Sequence, residues 1–297
     1  MKKADFSKIK VKFIPQGKTV KVRRLKEGHI PEVTEFNFAI VEFGSLFERF
    51  RDKNLAVSKR RKKSTKNFRV LAYEHPQIIN PAIKTIIGLA NLTDKPYKNH
   101  KNRFLYQKAL AEIYKIMAQK SYREGINNSL GLLLERGALL IGAFYNYPRD
   151  HLAKITAKRL DYENGEFGLG LSNLVLPKNV RRFKVLHIQE DCIATGDSIA
   201  GTVLALKEKG IIFNEIRIDA AVAVQTGVEF IQKILKYLGI KKVIIRTGDL
   251  CFKMNEHFYL MKNNKYFVGD MGEWTGILPK SFDKLAWWNK NRLDYLK

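Results

Sequence analysis

Cysteine is nearly missing from this chain of 297 residues, which holds two, Cys192 and Cys251. Two thiols build neither a disulfide framework nor a four-cysteine metal site, and such scarcity fits a reducing compartment, so the expected location is cytoplasmic. Long hydrophobic runs are missing as well. The longest uncharged apolar stretch, Gly137 to Tyr147, falls far short of the roughly 20 residues a membrane helix needs. The start, MKKADFSKIK, is basic but has no apolar segment of the kind a secretion signal carries. No membrane partner is expected. Internal repeats and low-complexity segments are absent too, which argues against solenoids and tails.

Acidic side chains are the last scarcity: 29 Asp and Glu stand against 54 Lys and Arg, a formal net charge of +25. An anionic partner or substrate is the natural implication. Residues 1–66 hold 19 basic and 7 acidic side chains, about half of the excess in less than a quarter of the chain. The run Lys59-Arg60-Arg61-Lys62-Lys63, with Lys66 behind it, has the density to neutralise several phosphates of a nucleic acid. The same run also reads as a solvated basic linker. With 45% hydrophobic and 28% charged residues the chain belongs with ordinary folded proteins. Its length suits two domains or one large domain with an appendage. The division falls at the basic run, giving an N-terminal extension over 1–66 and a main domain over 67–297.

Within the extension, Lys8 to Ile14 and Thr19 to Arg24 alternate apolar with charged residues around Pro15-Gln16-Gly17, the pattern of a β-hairpin. Glu35 to Gly44 adds another candidate strand. Further along, Asn102 to Lys120 places Phe104, Leu105, Leu110, Ile113 and Ile116 at mostly three-to-four spacing, which predicts an amphipathic helix. Short apolar runs at 138–144, 185–188, 216–224 and 242–245 then alternate with helical stretches at 198–209 and 227–238. Such alternation predicts an α/β fold with a mostly parallel sheet flanked by helices.

One segment carries chemistry. In Lys184 to Gly201, KVLHIQEDCIATGDSIAG, an apolar strand runs into two adjacent carboxylates, Glu190 and Asp191. The loop Ala194-Thr195-Gly196-Asp197-Ser198 follows, before a helix. Backbone N–H groups of a tight loop at a helix N-terminus converge into an anion nest, and carboxylates just ahead of it can accept hydrogen bonds from sugar hydroxyls. A phosphorylated ribose satisfies both halves, at the carboxyl ends of the strands where open α/β sheets bind ligands. The bland reading is a strand-to-helix turn with solvated acids and Ser198 as N-cap.

The order of strand, acid pair, loop and helix resembles the phosphoribosyl diphosphate (PRPP) signature of type I phosphoribosyltransferases. Further blocks resemble the uracil branch of that family over about residues 70 to 279: VLAYEHPQIINPAIKT from Val70, Leu134-Glu135-Arg136-Gly137-Ala138, Arg159-Leu160-Asp161, AAVAVQTGVEF from Ala220, and Gly269-Asp270-Met271-Gly272-Glu273. The resemblance implies a phosphoribosyltransferase fold carrying a small basic N-terminal extension with β structure. Its implied activity is transfer of the 5-phosphoribosyl group from Mg-PRPP to a pyrimidine, uracil, with release of pyrophosphate. It further implies that Ala194, Thr195, Gly196, Asp197 and Ser198 grip the 5′-phosphate and that Glu190 and Asp191 hold the ribose hydroxyls near Mg²⁺. Arg136 would meet the pyrophosphate, Arg159 would belong to a flexible arm, and Gly269, Asp270, Met271, Gly272 and Glu273 would orient the base. A homodimer is implied as well, with no protein metal ligands beyond the acid pair.

Several positions depart from the family pattern. Asp191 stands where the uracil branch has proline, the turn at Arg136 reads Arg-Gly-Ala, and Asp197 puts an acid where the phosphate loop has glycine. These departures keep two other readings open: a PRPP- or nucleotide-binding protein with little turnover that meets nucleic acid through residues 1–66, or a transferase for another base. Elsewhere, Tyr147-Pro148-Arg149-Asp150-His151 brings charge and an imidazole toward the expected pyrophosphate region, with a plain surface role as its alternative. His187 reads as a satisfied core histidine and Cys192 as a small packed side chain. Trp274, Trp287 and Trp288 read as anchors of a C-terminal tail, and Arg246 and Lys253 as part of the general basic field.

Overall fold

Strands dominate the described part of the chain. A computed structural model describes residues 6–26, 30–44, 67–72, 81–85, 88, 126–134, 147–161, 167–251, 253–254, 260–262 and 265–267, with helical positions at 105, 108, 109, 112, 113 and 116. Its strands are β1 (Lys10–Phe13), β2 (Val20–Lys26), β3 (Ile30–Phe36), β4 (Ala39–Glu42), β5 (Phe68–Ala72), β6 (Ser129–Leu134), β7 (Leu152–Asp161), β8 (Phe167–Val175), β9 (Val185–Ile193), β10 (Glu215–Val224) and β11 (Lys242–Cys251). Short strands β12 (Lys253–Met254), β13 (Leu260–Lys262) and β14 (Lys265–Phe267) form a small antiparallel sheet. The two long described helices are α1 (Asp197–Glu208) and α2 (Gln225–Tyr237). None is long and apolar enough to cross a membrane among the described residues.

Nine strands make the main sheet, in the order β1-β4-β8-β7-β6-β9-β10-β11-β5. From β7 to β5 every pairing is parallel, whereas β7-β8, β8-β4 and β4-β1 are antiparallel. The fold is therefore α/β, with a mostly parallel sheet and helices packed on it. Strands β9 and β10 lie at the centre of its parallel part and are buried along nearly all of their described length, as parallel strands covered on both faces are. Helix α2 buries Val228, Phe230, Ile231, Ile234 and Leu235 at three-to-four spacing, an apolar stripe turned toward the sheet. Helix α1 is buried from Asp197 through Leu206. Its small residues permit that: a Cβ on Gly201 would lie 2.6 Å from Leu169 Cδ2 of β8.

The predicted amphipathic helix is present at its described positions, with Ala109, Ile113 and Ile116 buried and Lys108 exposed. The hairpin expected from β1 and β2 is not. Both segments are strands, but β1 pairs with β4 at the edge of the main sheet and β2 pairs with β3. Alternation specifies a strand without specifying its partner, and here β4 docks on β8, with Ala39 opposite Leu171. Residues of the basic N-terminal segment thus continue the main sheet. Exposed Lys10 and Lys12 on the outermost strand discourage pairing with another chain.

The β2-β3 ribbon is fastened to the sheet by one aromatic ring. Phe36 is buried with Ile40 and Leu160, and its ring occupies the space above Gly170 of β8, where a Cβ would come within 2.1 Å of it. Asn37 adds a polar tie, accepting from the Asn173 backbone N–H at 2.8 Å. Asn173 itself has φ 53 at an irregularity in the β7-β8 register, a conformation asparagine tolerates better than most residues. Truncating Phe36 to Ala is expected to cost about 3–5 kcal/mol in chemical denaturation, and Gly170→Ala to loosen the ribbon so that its amides exchange faster with deuterium than those of β9.

Candidate functional site

The candidate site sits where β9 ends and α1 begins. Strand β9 carries Glu190 and Asp191 inside its last turns of pleat and stops at Ile193. Residues 194–196 bend the chain, and Gly196, at φ 77 and ψ 3, is the N-cap of α1. Only glycine adopts that left-handed conformation at no steric cost. The cap contributes no side-chain hydrogen bond, so the first-turn amides of α1, which have no acceptor within the helix, face the loop mouth. Ser198 is not the N-cap of the bland reading; it lies inside the first turn.

The loop is held from behind by α2. A Cβ on Gly227 would stand 2.1 Å from the Ala194 carbonyl oxygen, and one on Gly196 would stand 2.6 Å from the Gly227 carbonyl oxygen. Two backbones therefore touch, with Ile231 packed beside them. Such contact is available only because neither position carries a side chain. It locks the bend before any ligand arrives.

The mouth of the loop is lined by Arg159, Glu190, Cys192, Thr195, Asp197 and Ser198, among others. Glu190 is 2% exposed, and register puts it opposite Ala220 of β10. The side chain of Asp191 lies outside the described residues, as do Arg136 and the base-loop candidates Gly269, Asp270, Met271, Gly272 and Glu273, the tryptophans and the basic run at 59–63. Cys192 is buried, matching the packed side chain expected. Arg159 is placed near the end of β7, in the ribbon β7-β8, opposite Leu169. Its guanidinium crosses to the loop. Nε donates to Asp197 Oδ2 at 3.1 Å, and Nη2 donates to Thr195 Oγ1 at 3.1 Å. Thr195 Oγ1 in turn donates to Asp197 Oδ1 at 2.5 Å. The acid that departs from the family pattern is thereby neutralised from within, and its position in the first turn of α1 also suits the helix dipole.

A second polar cluster lies within the sheet, and sequence reasoning did not find it. Tyr147, His187, Asp219 and Arg246 are all buried. Tyr147 Oη lies 2.8 Å from His187 Nδ1, and His187 Nε2 lies 2.5 Å from Asp219 Oδ2. Arg246 grips the same carboxylate with two donors, Nε to Oδ1 at 2.5 Å and Nη2 to Oδ2 at 3.0 Å. A carboxylate only accepts, so Nε2 of His187 carries a proton, and Nδ1 shares a hydrogen bond with the Tyr147 hydroxyl. Burial pushes the Asp219 carboxyl up, yet the charge and hydrogen bonds of His187 and Arg246 outweigh it and hold the group below the usual carboxylate range. Burial also pushes the Tyr147 phenol up, so it stays neutral.

Arg246 is therefore no part of a general basic field; it is the buried counter-charge of Asp219. His187 is the satisfied core histidine that the sequence suggests. The available signal was an ionisable residue within or just beside an apolar run in each of three strands, at 187, 219 and 246, in a parallel sheet that brings them together. Arg149 to His151 form a short 3-10 turn leading into β7. That turn is at the amino end of the parallel strands, away from the loop, with His151 Nδ1 3.1 Å from the Ile126 carbonyl and its ring edge-on to Phe183.

No protein-family model and no curated protein matches the chain. Among solved structures it is similar to the AQ2163 protein from Aquifex aeolicus, at 17% identity and a TM-score of 0.51, over 70% of this chain and 97% of that one. Lower similarity links it to orotate phosphoribosyltransferase from Mycobacterium tuberculosis H37Rv in complex with PRPP, at 16% identity and a TM-score of 0.34 over 60% and 90% of the two chains. Adenine phosphoribosyl transferase from Trypanosoma brucei, in complex with AMP, pyrophosphate and ribose-5-phosphate, gives 15% identity and 0.36 over 57% and 79%. At such identities the first likeness shows the fold alone.

The cluster predicts a specific acid sensitivity. Asp219→Asn leaves Arg246 buried without its charge partner and should cost about 3–5 kcal/mol. Because the folded carboxyl is held low, its stabilisation is complete above the ordinary value of about 4 and is lost as pH falls through the folded one. Urea titrations from pH 7 to pH 2 should show the gap between wild type and variant narrowing only below about pH 4. Tyr147→Phe, which leaves a ring nitrogen buried without that hydrogen-bond partner, should cost about 1–3 kcal/mol at neutral pH.

Proposed function

We propose that the protein transfers the 5-phosphoribosyl group of Mg-PRPP to a nucleobase, a pyrimidine and specifically uracil, with release of pyrophosphate. One observation carries this reading: the acid pair of β9 runs directly into a glycine-capped loop at the N-terminus of α1, at the carboxyl end of a mostly parallel sheet. The loop's amides suit a phosphate and the carboxylates suit a ribose. The sequence resemblance to the type I phosphoribosyltransferase signature lies on these same residues.

In this reading Ala194, Thr195, Gly196, Asp197 and Ser198 hold the 5′-phosphate, and Glu190 and Asp191 accept from the ribose hydroxyls. Arg136 meets the pyrophosphate, Arg159 reaches in from the β7-β8 arm, and residues 269–273 orient the base. The bond from the anomeric carbon to pyrophosphate breaks, a bond from that carbon to a base nitrogen forms, and the nitrogen's proton leaves to solvent. Positive charge grows at the anomeric carbon meanwhile, as in glycoside chemistry. The protein's part is then positioning and electrostatic stabilisation of the departing diphosphate. The donor set fits Mg²⁺ entering with its substrate. Glu190 and Asp191 at the strand end are hard oxygen donors of the kind Mg²⁺ takes. The ion would supply charge neutralisation of the diphosphate.

A second reading is favoured by a specific feature, the Arg159-Asp197 bridge across the loop mouth: a PRPP- or nucleotide-binding protein with little turnover, meeting nucleic acid through its basic N-terminal segment. Calorimetric titration with Mg-PRPP, then with uracil and other bases, separates the two. Saturable heat followed by pyrophosphate release on adding one base supports the transferase and names its acceptor. Binding without release supports the second reading, and the absence of PRPP binding contradicts both. Glu190→Ala and Asp191→Ala are each expected to weaken Mg-PRPP binding about tenfold or more, the scale of a hydrogen bond to a charged group. Gly227→Ala, which forces the loop backbone away from α2, should abolish binding while the protein stays folded by circular dichroism.

A further inference from the structure

We propose that Arg159 and Asp197 form a latch across the loop: the loop's own carboxylate holds the guanidinium that an incoming phosphate would engage, and binding requires Arg159 to exchange Asp197 for the ligand. The inference rests on the reading of residues 194–198 as a phosphate loop and adds to it a control on affinity.

The bridge spans two elements, the end of β7 and the first turn of α1. Its side chains are 20% and 4% exposed, so water screens it far less than a surface pair. Both Nε and Nη2 of Arg159 are committed, and Thr195 closes the ring by accepting from Arg159 and donating to Asp197. Arg159, Thr195, Asp197 and Ser198 line one cleft, so a phosphate on the loop's amides meets the bridge. For the guanidinium to reach it, something must move. The loop backbone cannot give, because Gly196 and Gly227 already bring it into contact with α2. Arg159, on a long rotatable stem, can.

Charge leads to the same exchange. Released from Arg159, Asp197 would face a phosphate as one anion faces another, so the guanidinium is the counter-charge whose sharing sets the affinity. A site whose competent form is only partly populated binds more weakly by that fraction. The latch therefore tunes the loop toward high ligand concentrations and discriminates against ligands that bring too little negative charge to draw Arg159 away.

The test uses ribose 5-phosphate and inorganic phosphate as probes, titrated calorimetrically into wild type, Asp197→Asn, Arg159→Met and the double variant. Asp197→Asn is expected to bind ribose 5-phosphate about tenfold tighter. Arg159→Met should erase that gain and cost more affinity in the Asp197→Asn background than in wild type. Asp197→Ser, checked by thermal melting, serves if the asparagine variant does not fold, and should shift affinity the same way. Wild-type binding with unchanged or weaker affinity in the folded Asp197 variants overturns the latch and leaves the loop reading standing. No binding of either probe by any folded form overturns the loop reading, and the latch with it.

Discussion

The candidate site depends on a place where two backbones touch. Gly227, in the first turn of α2, lies against the carbonyl of Ala194, and Gly196 lies against the carbonyl of Gly227. Everything ahead of that contact follows from it. The chain can turn out of β9 and straight into α1 only with a left-handed residue at 196, and the turn stays put only because α2 supports it. The first turn of α1, whose amides lack acceptors within the helix, is thereby held at the loop without a ligand to organise it. Preorganisation of this kind removes ordering costs from binding, and it confines adjustment to side chains that cross the mouth.

Behind the loop, the sheet carries its own electrostatic anchor. Asp219 is fully buried with Arg246 on one side and His187 on the other, and Tyr147 completes the chain of hydrogen bonds. A buried charge group of this kind is costly to assemble and more costly to break. It joins β9, β10 and β11 by side chains as well as by backbone, and β9 is the strand that presents Glu190 and Asp191. The site thus sits on the part of the sheet that is least free to shift.

Much of this was legible in the residues. The strand at 185–188, the acid pair, the glycine loop and both following helices are local patterns, and local patterns survive into the fold because apolar period and turn chemistry agree there. What was not legible concerns partners. Alternation in 8–14 and 19–24 marked two strands but could not say that β1 would cross to β4 while β2 paired with β3. Arg246 looked like surplus charge because its partner, Asp219, lies 27 positions earlier in the chain and only parallel pairing of β10 with β11 brings them together. Asp197 looked like an unfavourable acid beside a phosphate for the same reason. Its counter-charge, Arg159, arrives from another strand 38 positions away.

The most direct check of the central claim is a crystal structure of the protein with Mg-PRPP bound. The 5′-phosphate is expected on the amides of residues 195–198, the ribose hydroxyls on Glu190 and Asp191, and the Arg159 guanidinium turned from Asp197 toward the ligand. PRPP bound elsewhere, or a loop mouth still bridged by Arg159 and Asp197 with no phosphate on its amides, would contradict it.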